Sequence, residues 1–423
     1  MLRIVCFGPG PQFKGGIANY NTSLARAFDK IDSNEVHIVS WTQQYPAIIP
    51  RDFIDRKSKK DQLDGTRIKV HYLTNYNNPR SWESTVKLIS ALVPDIVIFQ
   101  WAIAIQGVPM GYIAQRLKKK GIHVVFDLHF VNQKEGSSID KHLTKWGIKH
   151  ARSYVVHATQ TAEELKTLFP ERAFKLVEDG SDKTEKTKIV KLYHPVYDMF
   201  KPDPSFDKEA VKAAMGLKKH VFLFFGFIRK YKGLHLAIEA FNKLQQNHDD
   251  VSLLIVGESF WQTLDNKKLA TKVKNKLFGL AKSIFLKKQD DERNYNPLNL
   301  ITQYELEKSV VVVNDFVPNE DVHKYFQVSD NLVLFYLNAT PSGVESIGYN
   351  FNIPMLASAV GHFPETIQDG YNGYLANPND IEDMALVMEK AISKPIQREN
   401  IGKTSREMSW ENYAKAISHL LNN

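Results

Sequence analysis

The chain has 423 residues, 43% hydrophobic and 24% charged, with a formal net charge of +8 and a single cysteine, Cys6. The length predicts two domains, and one cysteine excludes a disulfide framework or a cysteine-based metal site. The basic balance suits nucleic acid, an anionic membrane face or anionic substrates, but the lysines are dispersed and no nucleic-acid module is recognisable, so nucleic acid is not expected as a partner.

Leu2 to Phe7 (LRIVCF) reads as a buried strand, and Cys6 within it as a packing residue. The N-terminus lacks a signal peptide's order of residues and no run could span a membrane, so a cytoplasmic location is expected. The strand enters Gly8-Pro-Gly-Pro-Gln-Phe-Lys-Gly-Gly16, after which Ile17, Tyr20, Leu24 and Phe28 mark a helix face. The glycines lack the G-x-G-x-x-G spacing of a dinucleotide fingerprint. Gly15 and Gly16 allow either close approach by a ligand or a plain turn needing positive φ. Further strands are expected at Val36 to Trp41, Ile68 to Leu73, Ile96 to Gln100, Val124 to Asp127, Tyr154 to His157 and Lys188 to Leu192, with a helix from Ile113 to Lys120. Alternating strands and helices argue for a parallel doubly wound sheet, with ligands beyond the C-terminal strand ends. His129 falls there, as do Gln100 and Trp101, weaker candidates for an acceptor. Glu178 to Lys188 reads as a solvated loop, and the Pro-rich stretch from His194 to Pro204 marks a domain boundary.

The second half opens with a strand at Val221 to Phe225, the loop Gly226-Phe-Ile-Arg-Lys-Tyr-Lys-Gly233 and a helix through Leu236, Ala240 and Leu244. Arg229 and Lys232 on that loop are either solvated cations or the counter-charges of a diphosphate. After a strand at Val251 to Val256, Asp265 to Lys288 is a basic amphipathic segment. It would lie on an anionic membrane, at the inner face, or pack on its own domain with a solvated basic side. Gln289 to Asn299 reads as a loop, and Val310 to Val313 as a strand. Leu332 to Tyr336 reads as another strand, followed by Thr340-Pro-Ser-Gly343 and a helix marked by Val344, Ile347 and Phe351 up to Pro354. A strand, a small-residue turn and a helix start make a ready anion site, on which a nucleotide diphosphate could meet the N–H groups of Ser342, Gly343 and Val344. Most strand–turn–helix units bind nothing, so that reading needs the stretch that follows. Met355 to Ala357 is the next strand, and beyond it come the turn pairs Asp369-Gly370 and Asn372-Gly373.

From Pro354 to Ala357, then Gly361, Pro364, Glu365, Asp369, Gly370, Asn372, Gly373 and Leu375, the sequence resembles the donor-binding half of glycosyltransferase family 4, over some twenty positions. The resemblance extends back to Gly15 and Gly16 and on to the terminal helix opened by Ser409 and Trp410. It implies an α/β chain of GT-B fold: two Rossmann-like doubly wound domains facing across a cleft. The domains expected are residues 1–198 on the acceptor side, 199–400 binding the nucleotide sugar, and a terminal helix in 401–423 crossing back to the first.

By that resemblance Gly15 and Gly16 close over the reacting sugar and diphosphate, and His129 contacts the sugar. Gly226, Arg229 and Lys232 hold the leaving diphosphate, although Arg229 comes two places later than in the commonest pattern. Thr340, Ser342, Gly343 and Val344 line the donor helix, and Val317, with Pro318, lies near the base. The family's two glutamates, eight positions apart, fall on Ala339 and Ile347. A Thr-x-Ser-Gly-Val subgroup shares that lack, and Glu345 is the nearest substitute carboxylate. The implied activity is retaining transfer of a hexose from a UDP- or GDP-sugar to a saccharide or lipid-linked acceptor, in polysaccharide or glycoconjugate synthesis. No cofactor beyond that co-substrate and no metal is expected, since no D-x-D pair is present. A catalytically degenerate GT-B scaffold and a nucleotide-sugar epimerase of the same fold are the alternatives.

Overall fold

A computed structural model describes residues 1–31, 33–46, 53–58, 62–131, 138–259, 295–341 and 343–421. The basic segment Asp265–Lys288 and Ser342 lie outside the described residues.

The first half builds one parallel sheet from β1 (Arg3–Phe7), β2 (Glu35–Gln43), β3 (Lys69–Asn75), β4 (Ile96–Trp101), β5 (His123–Leu128), β6 (Ser153–Val156), β7 (Phe174–Val177) and β8 (Thr187–Lys191). Their order in the sheet is β3-β2-β1-β4-β5-β6-β8-β7. The second half contributes β9 (His220–Phe225), β10 (Val251–Val256), β11 (Val310–Val313), β12 (Asn331–Leu334), β13 (Met355–Ser358) and β14 (Gly373–Ala376), ordered β11-β10-β9-β12-β13-β14. Strand order reverses between β1 and β4 in one sheet and between β9 and β12 in the other. Those crevices, at the C-terminal strand ends, are where open parallel sheets bind ligands.

Continuous apolar runs such as Val251–Val256 become buried strands because helices cover both faces of each sheet. The sequence pattern leaves β7 and the helices Pro79–Leu92 and Ser138–Ile148 unmarked. The expected loop at Glu178 to Lys188 stops short of its end, since Thr187 and Lys188 already pair in β8.

Along β4 the side chains alternate. Ile96 and Ile98 join the core that runs on into the second half, whereas Val97, Phe99 and Trp101 join the core under the outer helices. The first core is continuous through Val196, Tyr197 and Phe200 of the connecting segment. The last helix, Trp410–Ser418, packs on the first helix, Gly16–Asp29, so the chain ends against the half in which it began. Ser409 caps it, accepting from the Asn412 N–H.

Further side-chain contacts tie the halves and the connecting segment together. Glu365 accepts from the backbone N–H and hydroxyl of Thr159 (3.1 and 2.9 Å) and ion-pairs with Lys191 (2.5 Å). It thereby caps, from the other half, a helix (Thr159–Leu168) whose own cap position is Ala158 and supplies no side-chain acceptor. Lys57 bonds Asp315 (2.8 Å), and Ser58 accepts from the Asn319 N–H (3.1 Å). The Tyr197 hydroxyl donates to the Gly16 carbonyl at 2.8 Å. Among the described residues no helix is long and apolar enough to cross a membrane.

Candidate functional site

On the second sheet, the loop after β9 turns at Gly226 with φ 94°. A Cβ there would lie 2.7 Å from Lys232 Nζ and 3.3 Å from Val344 Cγ2. The bare Cα of Gly226 is therefore where the Lys232 ammonium and the start of the helix Gly343–Asn350 meet. Lys232 is only 7% exposed, and its Nζ lies 5.9 Å from the Tyr336 ring beyond the end of β12. This is the reversal point between β9 and β12. No carboxylate pairs with Lys232 among the described residues. Burial, aided by the neighbouring Arg229, pulls its ammonium down to about 7. Arg229 is half-buried, with its guanidinium 5.8 Å from the Tyr231 ring. Two cations at a crevice floor beside a helix N-terminus suit a diphosphate. Gly226→Ala is expected to weaken nucleotide-sugar binding at least about tenfold, read by calorimetry, because the new methyl displaces the ammonium. Unchanged affinity with a wild-type melting curve would show that the ammonium's position is immaterial.

Of the other donor-side candidates, Gly343 and Val344 open the helix and Thr340 is exposed on the turn before it, while Ser342 lies outside the described residues. Gly343 is pressed by the linker: a Cβ there would stand 2.5 Å from the Tyr197 ring. That same tyrosine holds Gly16, so one side chain joins the glycine loop of the first half to the donor helix of the second. Gly15, with φ 103°, takes a conformation that favours glycine and leaves its Cβ position open. Val317 is half-buried on the loop after β11, next to Phe316, which lies under Lys14 (5.1 Å).

Glu345 does not stand open to a reacting sugar. It is buried within the second half, its carboxylate taken by His362 Nε2 and by the Thr366 hydroxyl (2.5 Å). Side-chain direction, which spacing alone does not show, turns it inward. His362 occupies the position after Gly361, so two unusual residues satisfy one another. Gly361 itself, at φ 55°, runs so close to Ala339 that a Cβ would meet that carbonyl oxygen at 1.9 Å.

On the first sheet, Pro9, Lys14, Gly15, Gly16, Gln100 and Phe227 are among the residues lining a cavity of about 220 Å³ between the halves. Trp101 is not part of it: fully buried, it packs against Gly107 and Gly147. Consecutive strand residues face opposite sides, so Gln100 and Trp101 cannot both face the cleft. His129 lies behind Gln100, its Nε2 2.9 Å from Gln100 Oε1 and its ring 4.7 Å from the Tyr20 ring. Burial brings its pKa down to about 4, against a raising effect from Asp127, so the ring is neutral near pH 7.

Sequence reasoning passed over the group that orients these residues. Asp127, fully buried, accepts from Tyr20 and Tyr413 (3.0 Å each), from Gln100 Nε2 (3.4 Å), and pairs with His157 Nε2 (2.9 Å). Burial pushes its carboxyl up, but His157, His129 and Tyr413 more than offset this and hold it below the usual range. A carboxylate only accepts. The Gln100 amide nitrogen therefore faces Asp127 and its oxygen faces His129, which must carry its proton on Nε2 and leave Nδ1 as an acceptor. His194 continues the cluster to the second half, its Nδ1 2.6 Å from the Ser346 hydroxyl. The only signal in the sequence was a carboxylate ending an apolar strand.

Residues 205–408 match the family model described as glycosyl transferases group 1. Spore coat protein SA of Bacillus subtilis (strain 168) is 26% identical over 229 residues, 53% of this chain and 52% of that protein, so the match spans about half of the curated relative. Among solved structures, Anabaena Alr3699/HepE in complex with UDP and glucose superposes over 100% of both chains, with a TM-score of 0.68 and 14% identity. Sucrose-phosphate synthase from Thermosynechococcus elongatus is similar over 100% of this chain and 98% of its own, with a TM-score of 0.62 and 16% identity. An α,α-trehalose-phosphate synthase (UDP-forming) from Burkholderia xenovorans, in complex with glucose-6-phosphate, covers 100% of both chains with a TM-score of 0.64 and 11% identity. At such identities the likeness shows the fold, which is GT-B.

Proposed function

We propose, from the group 1 glycosyl transferase domain at residues 205–408, that this chain moves a hexose from a UDP- or GDP-sugar to a saccharide or lipid-linked acceptor with retention. The observation that carries the reading is Lys232, a buried cation without a carboxylate partner among the described residues, held against Gly226 and Val344. Burying a charge is costly unless a counter-ion arrives, and a nucleotide diphosphate is a counter-ion of the right charge.

Lys232 and Arg229 stabilise the diphosphate as it departs, together with the N–H groups that open the donor helix. Gly15 and Gly16 lie over the sugar, and the 220 Å³ cavity beside Gln100 receives the acceptor. Neutral His129 acts through Gln100 and as a hydrogen-bond partner for the sugar. The acceptor hydroxyl gives its proton to the leaving phosphate oxygen, a role for which no protein carboxylate is needed. Family 4 subgroup membership, the base near Val317, the division at residues 198 and 400, and independence of metal belong to the same proposal.

One observation favours a second reading. Glu345 is spent on His362 and Thr366, and by the family 4 resemblance Ala339 and Ile347 fall where that family has its glutamates. A protein that binds the donor without transferring sugar would look the same. Calorimetry with UDP- and GDP-sugars, paired with detection of released sugar, separates the two. Binding with slow hydrolysis, both lost in Arg229→Ala and Lys232→Ala, supports transfer; binding without any turnover, even with acceptor saccharides, leaves the second reading. Absence of binding to any nucleotide sugar sinks both.

A further inference from the structure

The chain carries a second charged cavity, far from the cleft. It holds about 650 Å³ at the N-terminal ends of β5, β6 and β8, the opposite edge of the first sheet. His123, at its floor, opens β5, and His129 follows the far end of that strand, six residues on and about 20 Å away at strand rise. Volume of this order accommodates a small organic ligand.

The lining is cationic. Lys118, Arg152, Arg172, Lys186 and Lys188 face it, against one carboxylate, Glu185. Two of its polar groups belong to the sheet interior: Lys188 and His123 are each 6% exposed. Lys188 is anchored through the Gly180 carbonyl (2.7 Å), and Arg172 through the Tyr154 hydroxyl and the Lys149 carbonyl (2.7 Å each). These are fixed cations rather than loose surface side chains. His123 Nε2 is 3.3 Å from the Ser153 hydroxyl, and its Nδ1 has no partner among the described residues. The nearby acids pair with other groups, Asp182 with Lys175 (3.1 Å) and Asp179 with His419 (3.3 Å), while also acting on Lys188 through space. Burial, with Arg152 and Lys188 beside it, draws His123 down to about 4, so the floor is neutral while the cavity is empty.

We propose that this cavity is a second anion site, taking a phosphate ester that is either a small soluble molecule or the headgroup of an anionic lipid. Cations that outnumber carboxylates around one open-mouthed cavity gain most from a multiply charged ligand. Arg152 supplies a planar fork for phosphate oxygens, Arg172 adds a fixed positive charge, and a phosphate at the floor favours protonated His123. Leu420 also lines the cavity, and it follows the terminal helix that sends Tyr413 to Asp127. An occupant therefore touches the segment that steadies the candidate catalytic end.

The test uses full-length protein carrying Arg229→Ala and Lys232→Ala, so that the cleft no longer competes for phosphate. Titration with inorganic pyrophosphate should show one saturable site, weakened at least tenfold by Arg152→Glu or by Lys186→Glu, both exposed positions where the fold is preserved. NMR should show the His123 ring titrating above 4 once the site is filled. Flotation with vesicles of phosphatidylcholine, with and without phosphatidylglycerol, identifies the source. Association with the anionic vesicles that Arg152→Glu abolishes assigns a lipid headgroup; pyrophosphate binding without vesicle association assigns a soluble ester. The proposal is overturned if neither probe binds, or if binding is indifferent to both charge reversals.

Discussion

Replacing Lys232 by methionine is expected to lower turnover with a nucleotide sugar by about 10²–10³-fold, the loss typical when one preorganised group facing a developing negative charge is removed. The same variant should lose a pH dependence that the native protein shows. Lys232 titrates near 7 because it is buried beside Arg229, and only its protonated form neutralises a diphosphate. Below pH 7 the ammonium is already present, so affinity is flat. Above pH 7 the free protein must take up a proton as the donor binds, and affinity should fall by up to about tenfold per pH unit until the pKa of the complex is reached. Nucleotide sugars suit this test because their esterified diphosphate does not itself titrate there. Stability runs the other way. Between about 7 and the ordinary lysine value of 10.5 the unfolded chain holds more protons than the folded one, so the free protein gains stability as pH rises through that window. Binding that weakens with pH while melting improves is a signature that few other groups would give. Calorimetry from pH 6 to 9.5, run beside melting curves, reads both slopes, and a flat binding profile in the native protein would remove Lys232 from the diphosphate.

The central strands of both sheets were legible because they are unbroken apolar runs, and β10 and β11 fall on the expected bounds, Val251–Val256 and Val310–Val313, whereas β7, with a lysine inside it, and β14, behind a turn pair, were not. Parallel strands buried on both faces leave no other pattern. The two reversal points were legible only through their glycines: the loop at Gly15 and Gly16, and the loop from Gly226 to Gly233. Contacts between distant segments were not. Glu365 belongs to a motif visible in the sequence, yet its partners are Thr159 and Lys191, in the other half. Nothing in local pattern shows that the cap missing at Ala158 is supplied from there. Glu345 fails for a related reason, since spacing places a residue along a helix but its inward turn is set by His362 and Thr366. Trp101 fails on period: with Gln100 directed to Asp127, its neighbour had to join the opposite core.

Asp127→Ala is expected to destabilise the protein by about 3–5 kcal/mol, the range for removing one partner from a buried charged group. Against the 5–15 kcal/mol typical of a folded domain, that is enough to shift a urea midpoint far beyond error. The deletion strands Tyr20, Tyr413, His157 and Gln100, four donors converging on one carboxylate from the first helix, the last helix, the loop after β6 and β4. Tyr413→Phe removes one donor and leaves the acceptor satisfied by three, so its cost should stay near 1 kcal/mol. The acid limb provides an independent check. Because the folded carboxyl lies below its ordinary value, its contribution is complete above about pH 4 and is lost as pH falls through the depressed folded value. Hydrogen exchange should locate the damage: in Asp127→Ala the amides of Trp410–Ser418 lose protection ahead of the second sheet. Asp127→Asn separates structure from function, since an amide fills the same volume but no longer obliges Gln100 to turn its oxygen toward His129. If that variant folds with full turnover, the carboxylate is a tether for the terminal helix and nothing more; a fall in kcat with the melting temperature kept ties the same group to the orientation of His129.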